Sequence, residues 1–348
     1  MKRILVDMMG GDRGIGETVK GVCLAAEEME AEYVLIGDRS KLLAVAKENA
    51  LSLERFEIVD TSVVISMEDD PLSVTKAKAD SSMSIGLRML ADGKGDALVS
   101  TGNTGALFTG ANLLVRKIKG VRRPAIAAML PMQPPVLLLD SGANVGVTAE
   151  YLEQFAVMGN QYMKTIMKVE NPRVGLLNNG AEETKGTAVQ QAAYELLKNN
   201  PELNFVGNVE GNRVMQNACD VLVADGFSGN ILLKTMEGMG KLMLKTLKNL
   251  FSANMKTVMA YGLVKHDLRD VKKNLDASEF GGAPILGVRC PVIKAHGSSD
   301  AKAFKNAIRQ AIAFSEADLT EDLTEALSRL SERKKAEKQQ SKEKQTEV

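Results

Sequence analysis

The sequence predicts an α/β fold built around a largely parallel sheet. Short apolar runs of strand length alternate with longer segments of helical spacing along the 348 residues, which is the pattern of strands joined by crossover helices. Several of the runs end in small polar residues that lead straight into a helix. Ligands bind at the carboxyl ends of parallel strands, so these polar turns are where we expect a site.

The elements are predicted from the apolar period of each segment. Apolar runs predict strands over 4–7, 33–36, 56–59, 97–99, 126–130, 136–139, 173–177, 205–208, 221–223 and 291–294. Helical spacing predicts helices over 17–30, 40–49, 81–90, 106–115, 149–167, 188–198, from about 230 to 251, and 301–313. Ser40 is the expected cap of the second helix, and 280–284 is predicted to be a turn.

The composition disfavours nucleic-acid binding and membrane spanning. Lysine plus arginine and aspartate plus glutamate each number 44, so there is no excess positive charge for a nucleic acid. The chain has no tryptophan and only 4% aromatic residues, a poor supply of stacking platforms for bases. No run approaches the roughly 20 apolar residues of a membrane-spanning helix. Three widely spaced cysteines suit a reducing cytoplasm, where we expect the protein to be located.

The turn at 100–105 has the composition of an anion site. It follows the strand at 97–99 and opens the next helix, so free N–H groups and the helix dipole point towards it. Gly102 and Gly105 leave room for a ligand beside the backbone. A plain strand-to-helix turn capped by threonine or asparagine is the alternative explanation.

The same construction recurs at other strand ends, which favours the ligand explanation. Small and polar residues occupy 10–12, 142–144, 225–230 and 296–299. Convergence of these turns would make a cleft rich in neutral donors, suited to an anion such as phosphate. The candidate sources of positive charge are Lys185, Lys234 and Lys294.

His296 is the more informative of the two histidines. It follows the last predicted strand and precedes Gly-Ser-Ser-Asp, whereas His266 lies in a charged stretch. Its position is compatible with a ligand contact and with a purely structural role. The sequence contains no phosphate-loop motif, metal-ligand spacing or nucleophile elbow, and its dinucleotide fingerprint is poor.

A series of ordered motifs resembles the bacterial phosphate acyltransferase family, PlsX. The resemblance runs from residue 1 to about 315, and the sequence departs from the family's usual residues at Met8, Lys76, Ala79 and Arg213. Motifs that carry it include DMMGGD at 7–12, DSSM at 80–83, VSTGNTGA at 99–106, ETKG at 183–186, DGFSGN at 225–230, FGGAP at 280–284 and KAHGSSD at 294–300.

The resemblance implies a reaction, a fold and partners. Acyl-[acyl-carrier protein] and inorganic phosphate would become acyl phosphate and free carrier protein, feeding phosphatidic acid synthesis and a downstream glycerol-phosphate acyltransferase. The fold would be a three-layer α/β/α homodimer like isocitrate and isopropylmalate dehydrogenases, with two lobes around a cleft and without cofactor or metal. We therefore expect one two-lobed unit over 1–330 with a protruding helical hairpin at about 236–275. A charged tail over 331–348 is expected to be a frayed helix end or disordered.

Phosphate is itself the nucleophile in such a reaction, so the site needs positioning and oxyanion stabilisation rather than a protein nucleophile. The expected catalytic residues are His296, Lys185 and Asn230, with His296 polarising the carbonyl or protonating the leaving thiolate. The expected phosphate and substrate ligands are Gly10, Gly11, Asp12, Ser81, Ser82, Ser100, Gly102, Asn103, Thr104, Asn144, Lys234 and Ser298.

Two surface features are assigned to larger partners. Carrier protein is acidic in this resemblance, and the candidate basic docking face consists of Arg116, Lys117, Lys119, Arg122 and Arg123. Cations that merely decorate a helix end are the alternative. Dimer packing is expected for 236–251, while shallow contact with an anionic membrane is expected for the hairpin tip, at Val258, Met259, Leu263 and Val264.

Three other functions are weighed against the acyltransferase. A nicotinamide-dependent oxidative decarboxylase on the same fold would need a metal-binding carboxylate cluster and a dinucleotide loop, and neither is convincing here. A non-catalytic acyl-carrier-protein or membrane adaptor would bind carrier without turnover. A phosphotransacetylase-like enzyme would differ only in using coenzyme A thioesters.

Overall fold

The computed structural model of the protein describes residues 1–274 and 280–346. The strands are β1 (Arg3–Asp7), β2 (Glu32–Gly37), β3 (Glu57–Asp60), β4 (Ala97–Ser100), β5 (Ala125–Leu130), β6 (Val136–Leu139), β7 (Arg173–Leu177), β8 (Asn204–Val209), β9 (Val221–Val223), β10 (Ala283–Leu286) and β11 (Val292–Lys294). The helices are α1 (Ile15–Glu28), α2 (Arg39–Glu48), α3 (Ser82–Ala91), α4 (Thr104–Gly110), α5 (Ala149–Thr165), α6 (Ala188–Lys198), α7 (Gly211–Val214), α8 (Gly226–Phe251), α9 (Met255–Asn274), α10 (Ala301–Glu316) and α11 (Leu319–Thr346).

The strands within the described residues form one sheet, in the order β3-β2-β1-β4-β11-β10-β5-β6-β9-β7-β8. The five strands from β3 to β11 are parallel, and so are the four from β6 to β8. Three antiparallel pairings, made by β10 and β5, separate the two sets. The sets therefore run in opposite directions, a reversal that the predicted largely parallel sheet did not include.

Alternate residues of the strands pack against helices on opposite faces of the sheet. In β1, Ile4 and Val6 belong to the largest apolar cluster, whereas Leu5 belongs to a second cluster on the other face. In β6, Leu138 joins a third cluster with Leu233 of α8. This alternation is what strands buried on both faces require. The predicted α/β/α architecture is confirmed.

Two local features differ from the sequence prediction. Gly-Gly-Ala-Pro at 281–284 carries turn signals, yet Pro284 lies in β10 and is paired with a residue of β11. Ser40 was expected to cap α2, but the cap is Asp38, whose carboxylate also accepts the Ser40 hydroxyl at 2.6 Å. A carboxylate in this position accepts the free amides of the first turn as readily as a serine does.

The final helix, α11, extends into the charged segment, for which the sequence predicts a frayed helix end or disorder. Glu153 of α5 is fully buried, and Arg333 of α11 donates to its carboxylate at 2.6 Å. Lys334 forms a second ion pair with the same carboxylate. A buried carboxylate that loses its cations is strongly destabilising, so this pairing anchors α11 on α5.

Helices α8 and α9 form the helical hairpin. They pack against each other near the tip, where the rings of Phe251 and Tyr261 lie 5.6 Å apart. Several apolar side chains along it face solvent, including Leu242, which is 56% exposed, and Leu263, which is 88% exposed. Residue 275, at the end of the predicted hairpin, lies outside the described residues. Within 1–274 and 280–346, no helix combines the length and apolarity of a membrane span.

Candidate active site

The loops that follow β1, β4 and β11 interlock at one end of these strands. The amide of Asp12 donates to the carbonyl of Gly297 at 2.9 Å. Gly10 has φ +82° and approaches the Cα of Gly102, and a Cβ on Gly11 would lie 2.8 Å from Thr101 Oγ1. The two glycines are therefore required where three strand ends come within van der Waals contact.

A buried polar network supports these loops from below. The Ser100 hydroxyl donates to the carboxylate of Asp7 at 2.6 Å, and the amide of Gly102 donates to the Ser100 oxygen at 3.0 Å. Ser82 forms a further side-chain hydrogen bond to Asp7, and burial raises the pKa of the Asp7 carboxyl. Ser100 thus orders the turn from below rather than presenting a free hydroxyl.

Lys294 is a nearly buried cation, 8% exposed, that borders the cleft. Its ammonium donates to the carbonyls of Thr101 at 2.8 Å and Ala295 at 2.7 Å, which joins the ends of β4 and β11. Burial lowers the pKa of Lys294 to about 8. The negative charges of Asp7 and Asp12 act to raise this pKa, whereas the positive charge of Lys234 lowers it further. The pKa still leaves Lys294 mostly charged at pH 7.

His296 is held in one tautomer. The amide of Ser298 points at its Nδ1 from 3.1 Å, and the Ser298 hydroxyl lies 2.8 Å from the same nitrogen. A backbone N–H can only donate, so Nδ1 accepts and the proton of the neutral ring lies on Nε2. Burial and the charge of Lys234 lower the pKa of His296, which keeps the ring neutral near pH 7.

Two donors meet in the cleft. Nε2 of His296 lies 3.4 Å from Nζ of Lys234, which also pairs with Glu237 at 3.0 Å. An N–H and an ammonium cannot satisfy each other, but both can donate to one anionic oxygen. This arrangement can hold an anion, and the buried charge of Lys294 borders the same cleft.

The second set of strands contributes the opposite wall. Asp140, directly after β6, accepts the amides of Ile126, Gly142 and Asn144, and burial raises the pKa of its carboxyl. This cradle fixes Gly142 against Asn230, whose Oδ1 would lie 3.5 Å from a Cβ placed on the glycine. Although the two sets of strands run in opposite directions, residues after β6 and β9 border the same cleft as those after β1, β4 and β11.

The cleft has a volume of about 880 Å³ and is lined by both polar and apolar residues. Its polar lining includes the donors just described. Most of the apolar lining comes from β5, the turn after it, α8 and the segment before β10, and it includes Ile126, Ala128, Met129, Pro131, Leu233, Met236, Leu244 and Phe280. A concave site with an apolar majority and a few converging polar groups is typical of small-molecule binding.

The structure brings together part of the predicted site. The predicted residues that line the cleft are Asp12, Thr104, Asn230, Lys234, His296 and Ser298. Four others are engaged in hydrogen bonds to other parts of the protein, namely Ser81, Ser82, Asn103 and Asn144. Gly10, Gly11 and Gly102 lie beneath the cleft at the loop contacts.

Lys185 lies apart from this group. Its loop after β7 is exposed, its amide bonds to the carbonyl of Glu182, and it is not among the residues that border the cleft.

Asn103 caps α4 and donates to the carbonyls of Ser66 and Met67, as the plain-turn alternative required.

The basic segment after the π turn at Ala111–Val115 is only partly free. Arg116, Lys119, Arg122 and Arg123 are exposed, while Lys117 donates to the carbonyl of Arg122 at 2.9 Å.

On the hairpin, the tip residues are solvent-facing, with exposed fractions of 55% for Val258, 72% for Met259, 88% for Leu263 and 37% for Val264.

Sequence reasoning missed the two buried carboxylates and most of the apolar lining. Asp7 ends β1 and Asp140 directly follows β6, and a glycine comes two or three residues later in each case, which was the available signal. Met129 and Phe280 look like ordinary core residues in the sequence, because their proximity depends on how β5 and β10 pair.

Comparisons with known proteins agree with this architecture. A family model described as fatty acid synthesis protein matches residues 2–322. A phosphate acyltransferase from Thermoanaerobacterium thermosaccharolyticum is 43% identical over 91% of this chain and 94% of its own length, and one from Acetivibrio thermocellus is 45% identical over 90% and 93%.

Solved structures with the same fold include two enzyme classes. A phosphotransacetylase from Streptococcus pyogenes superposes with a TM-score of 0.60 at 17% identity, covering 90% of this chain and 94% of its own. A 4-hydroxythreonine-4-phosphate dehydrogenase from Klebsiella pneumoniae gives 0.54 at 11% identity, covering 90% and 100%. At these identities the structures support the fold alone.

The family model and the curated relatives, each covering about nine-tenths of the sequence, show that this chain belongs to the bacterial phosphate acyltransferase (PlsX) family of enzymes.

Proposed function

We propose that the protein transfers an acyl group from acyl-[acyl-carrier protein] to inorganic phosphate. The observation that carries this proposal is the donor pair of His296 Nε2 and Lys234 Nζ, 3.4 Å apart in a cleft whose lining also includes a large apolar part. Phosphate can accept hydrogen bonds from the two donors, and the acyl chain of a thioester can pack against the apolar part of the lining. The products are acyl phosphate and free carrier protein, which feed phosphatidic acid synthesis.

The chemistry needs few groups from the protein. A phosphate oxygen forms a bond to the thioester carbon, the carbonyl electrons move to oxygen, and the carbon–sulfur bond then breaks. The proton carried by hydrogen phosphate ends on the departing thiol, so charge and atoms balance. Lys234 and Lys294 hold the phosphate, and His296 donates through Nε2 to the oxyanion or to the leaving sulfur. Asn230 adds a neutral donor from the opposite wall.

The role expected of Lys185 stays a prediction. Lys185 does not line the cleft, so its loop would have to move towards the cleft for the side chain to contact phosphate. Lys294, which already borders the cleft, can supply the charge that a second lysine was expected to bring.

Two surfaces extend the proposal to macromolecular partners. The exposed cations from Arg116 to Arg123 fit an acidic carrier protein, and Arg289 adds a further cation because its side chain reaches the carbonyl of Lys117. The exposed apolar side chains of the hairpin fit two roles, homodimer packing along the shank and shallow membrane contact at the tip. We further propose a cytoplasmic protein that visits the membrane surface and delivers acyl phosphate to a glycerol-phosphate acyltransferase.

The proposal is tested by trapping the product. Purified protein is mixed with hexadecanoyl-[acyl-carrier protein] and phosphate, and acyl phosphate is captured as hydroxamate. We expect phosphate-dependent hydroxamate, and we expect His296→Ala to reduce turnover by about 10²- to 10⁴-fold, the usual contribution of a general acid or base, with an unchanged melting temperature.

The competing functions predict different outcomes. Carrier binding without hydroxamate would support an adaptor, and faster reaction with coenzyme A thioesters would support a phosphotransacetylase-like enzyme. Turnover of His296→Ala close to that of the native protein would remove the role proposed for the ring.

A further inference from the structure

Two parallel rows of side chains run along the cleft face of α8. One row is apolar and consists of Leu233, Met236, Gly240 and Leu244, and the other is charged and consists of Lys234, Glu237 and Lys241. Positions three, seven and eleven residues apart share one helix face, so each row is continuous. At a rise of 1.5 Å per residue, the apolar row is roughly 16 Å long.

The part of β5 that borders the cleft is also apolar. In β5, Ile126, Ala128 and Met129 border the cleft and keep 5–8% exposure, while Ala127 and Leu130 are completely covered. The exposed parts of Ile126, Ala128 and Met129 belong to otherwise buried side chains that border the cleft. The apolar row of α8 and these residues of β5 therefore line one groove of the cleft, and the row continues along α8 away from Lys234, the residue that contacts His296.

We propose that this groove holds the acyl chain of the thioester and that Gly240 sets the length of chain it accepts. The inference rests on the proposed function, because it takes the acyl thioester as the substrate. Gly240 is half-buried, lies between Met236 and Leu244 in the apolar row, and is the one member of that row without a side chain. A larger residue there would fill the groove partway along.

Continuity with the donor pair argues for an acyl chain rather than a second copy of the protein. Lys234 begins the charged row and contacts His296, so an occupant of the apolar row has its polar end beside the two donors. An acyl chain with a reactive carboxyl end has this arrangement of one polar terminus and a long apolar remainder. The concave cleft, with a volume of about 880 Å³, is in the range of small-molecule sites.

The test compares Gly240→Leu with Gly238→Leu. Both changes add the same side chain to the same helix, but Gly238 is exposed and has open space around it. The first readout is kcat/KM with butanoyl-, octanoyl- and hexadecanoyl-[acyl-carrier protein] and phosphate. The second is calorimetric binding of butyl, octyl and hexadecyl phosphate, which carry chain and phosphate together and need no turnover.

We expect Gly240→Leu to lower binding and kcat/KM for the sixteen-carbon compounds by at least tenfold, equal to 1.4 kcal/mol, and to change the four-carbon values less than twofold. Gly238→Leu should match the native protein throughout. Identical chain-length profiles in all three proteins would overturn the proposal. So would an equal loss at every chain length in Gly240→Leu, or a change of oligomeric mass with unchanged binding, which would assign the row to a second copy.

The binding readout separates this proposal from the function on which it rests. Chain-length-dependent binding of alkyl phosphates that is lost in Gly240→Leu, together with no turnover by any protein, would support the groove and reject the acyltransferase reaction. Turnover by the native protein with unaltered length preference in Gly240→Leu would reject the groove alone.

Discussion

Replacing Lys234 with methionine tests the donor pair directly. Methionine keeps an unbranched chain of similar length and removes the ammonium that lies 3.4 Å from Nε2 of His296. Lys234 is one cause of the lowered pKa of His296, while Glu237 acts in the opposite direction. The variant removes the first influence and leaves Glu237 without its cation, so both effects raise the pKa of His296.

The distance gives the size of the effect. Two unit charges 3.4 Å apart interact by about 1 kcal/mol in bulk water, and by more where water is partly excluded. Loss of a charge-assisted hydrogen bond to phosphate costs a further 1.5–3 kcal/mol or so in binding, which is roughly a 10- to 150-fold increase in the phosphate KM. The acyl-carrier-protein KM should change little, because the apolar groove is intact.

The assay is a proton NMR titration of the two imidazole rings, with His266→Gln to assign them. Lys245→Met is the matched control, since it removes the same charge from the same helix at a residue that does not border the cleft. An unchanged or lowered pKa of His296 in Lys234→Met, or an equal rise in Lys245→Met, would refute the reasoning. So would a phosphate KM that stays at the native value.

Three further predictions concern the buried lysine and the two surfaces. Because burial lowers the pKa of Lys294 to about 8, its charge is present below that pH, so the phosphate KM should rise as pH passes through about 8, and Lys294→Met should lack this step. Lys294 loses its proton at a lower pH in the native state than in the unfolded chain. The free energy of unfolding should therefore increase with pH between about 8 and 10.5 by up to ~3 kcal/mol. A free energy of unfolding, measured by chemical denaturation, that stays constant over this pH range would contradict the burial of a charged Lys294. Charge reversal at Arg116 and Lys117 should raise the KM for acyl-carrier protein several-fold at low salt and less at high salt, and an unchanged KM would leave the docking face without support. Val258→Glu with Leu263→Glu should abolish flotation with anionic liposomes, whereas undiminished flotation would remove the tip from membrane contact.

The layers of the fold were predictable because each strand and helix has a local signature. Buried strands such as 97–99 and 221–223 are short apolar runs, and their positions agree with β4 and β9 to within a residue. The reversal of strand direction was not predictable, since it depends on β10, a strand whose Pro284 and adjacent glycines carry turn signals. Strand pairing is a long-range property that local composition does not specify.

The candidate site was predicted in outline for a similar reason. Small polar residues at strand ends indicate where a ligand is bound, and His296 does lie in the cleft. The same residue types also cap helices and order turns, as Asn103 and Asn144 do here, and composition cannot separate the two uses. The apolar half of the cleft had no local signal, because Met236 and Leu244 have the spacing of any amphipathic helix.

The central claim is that phosphate itself attacks the thioester, and isotope transfer measures this most directly. The protein is incubated with hexadecanoyl-[acyl-carrier protein] and phosphate labelled with ¹⁸O at every position, and the products are analysed by mass spectrometry. We predict acyl phosphate in which the oxygen that bridges carbon and phosphorus carries the label. Free fatty acid with solvent oxygen in its carboxyl group, and no labelled acyl phosphate, would contradict the proposed reaction.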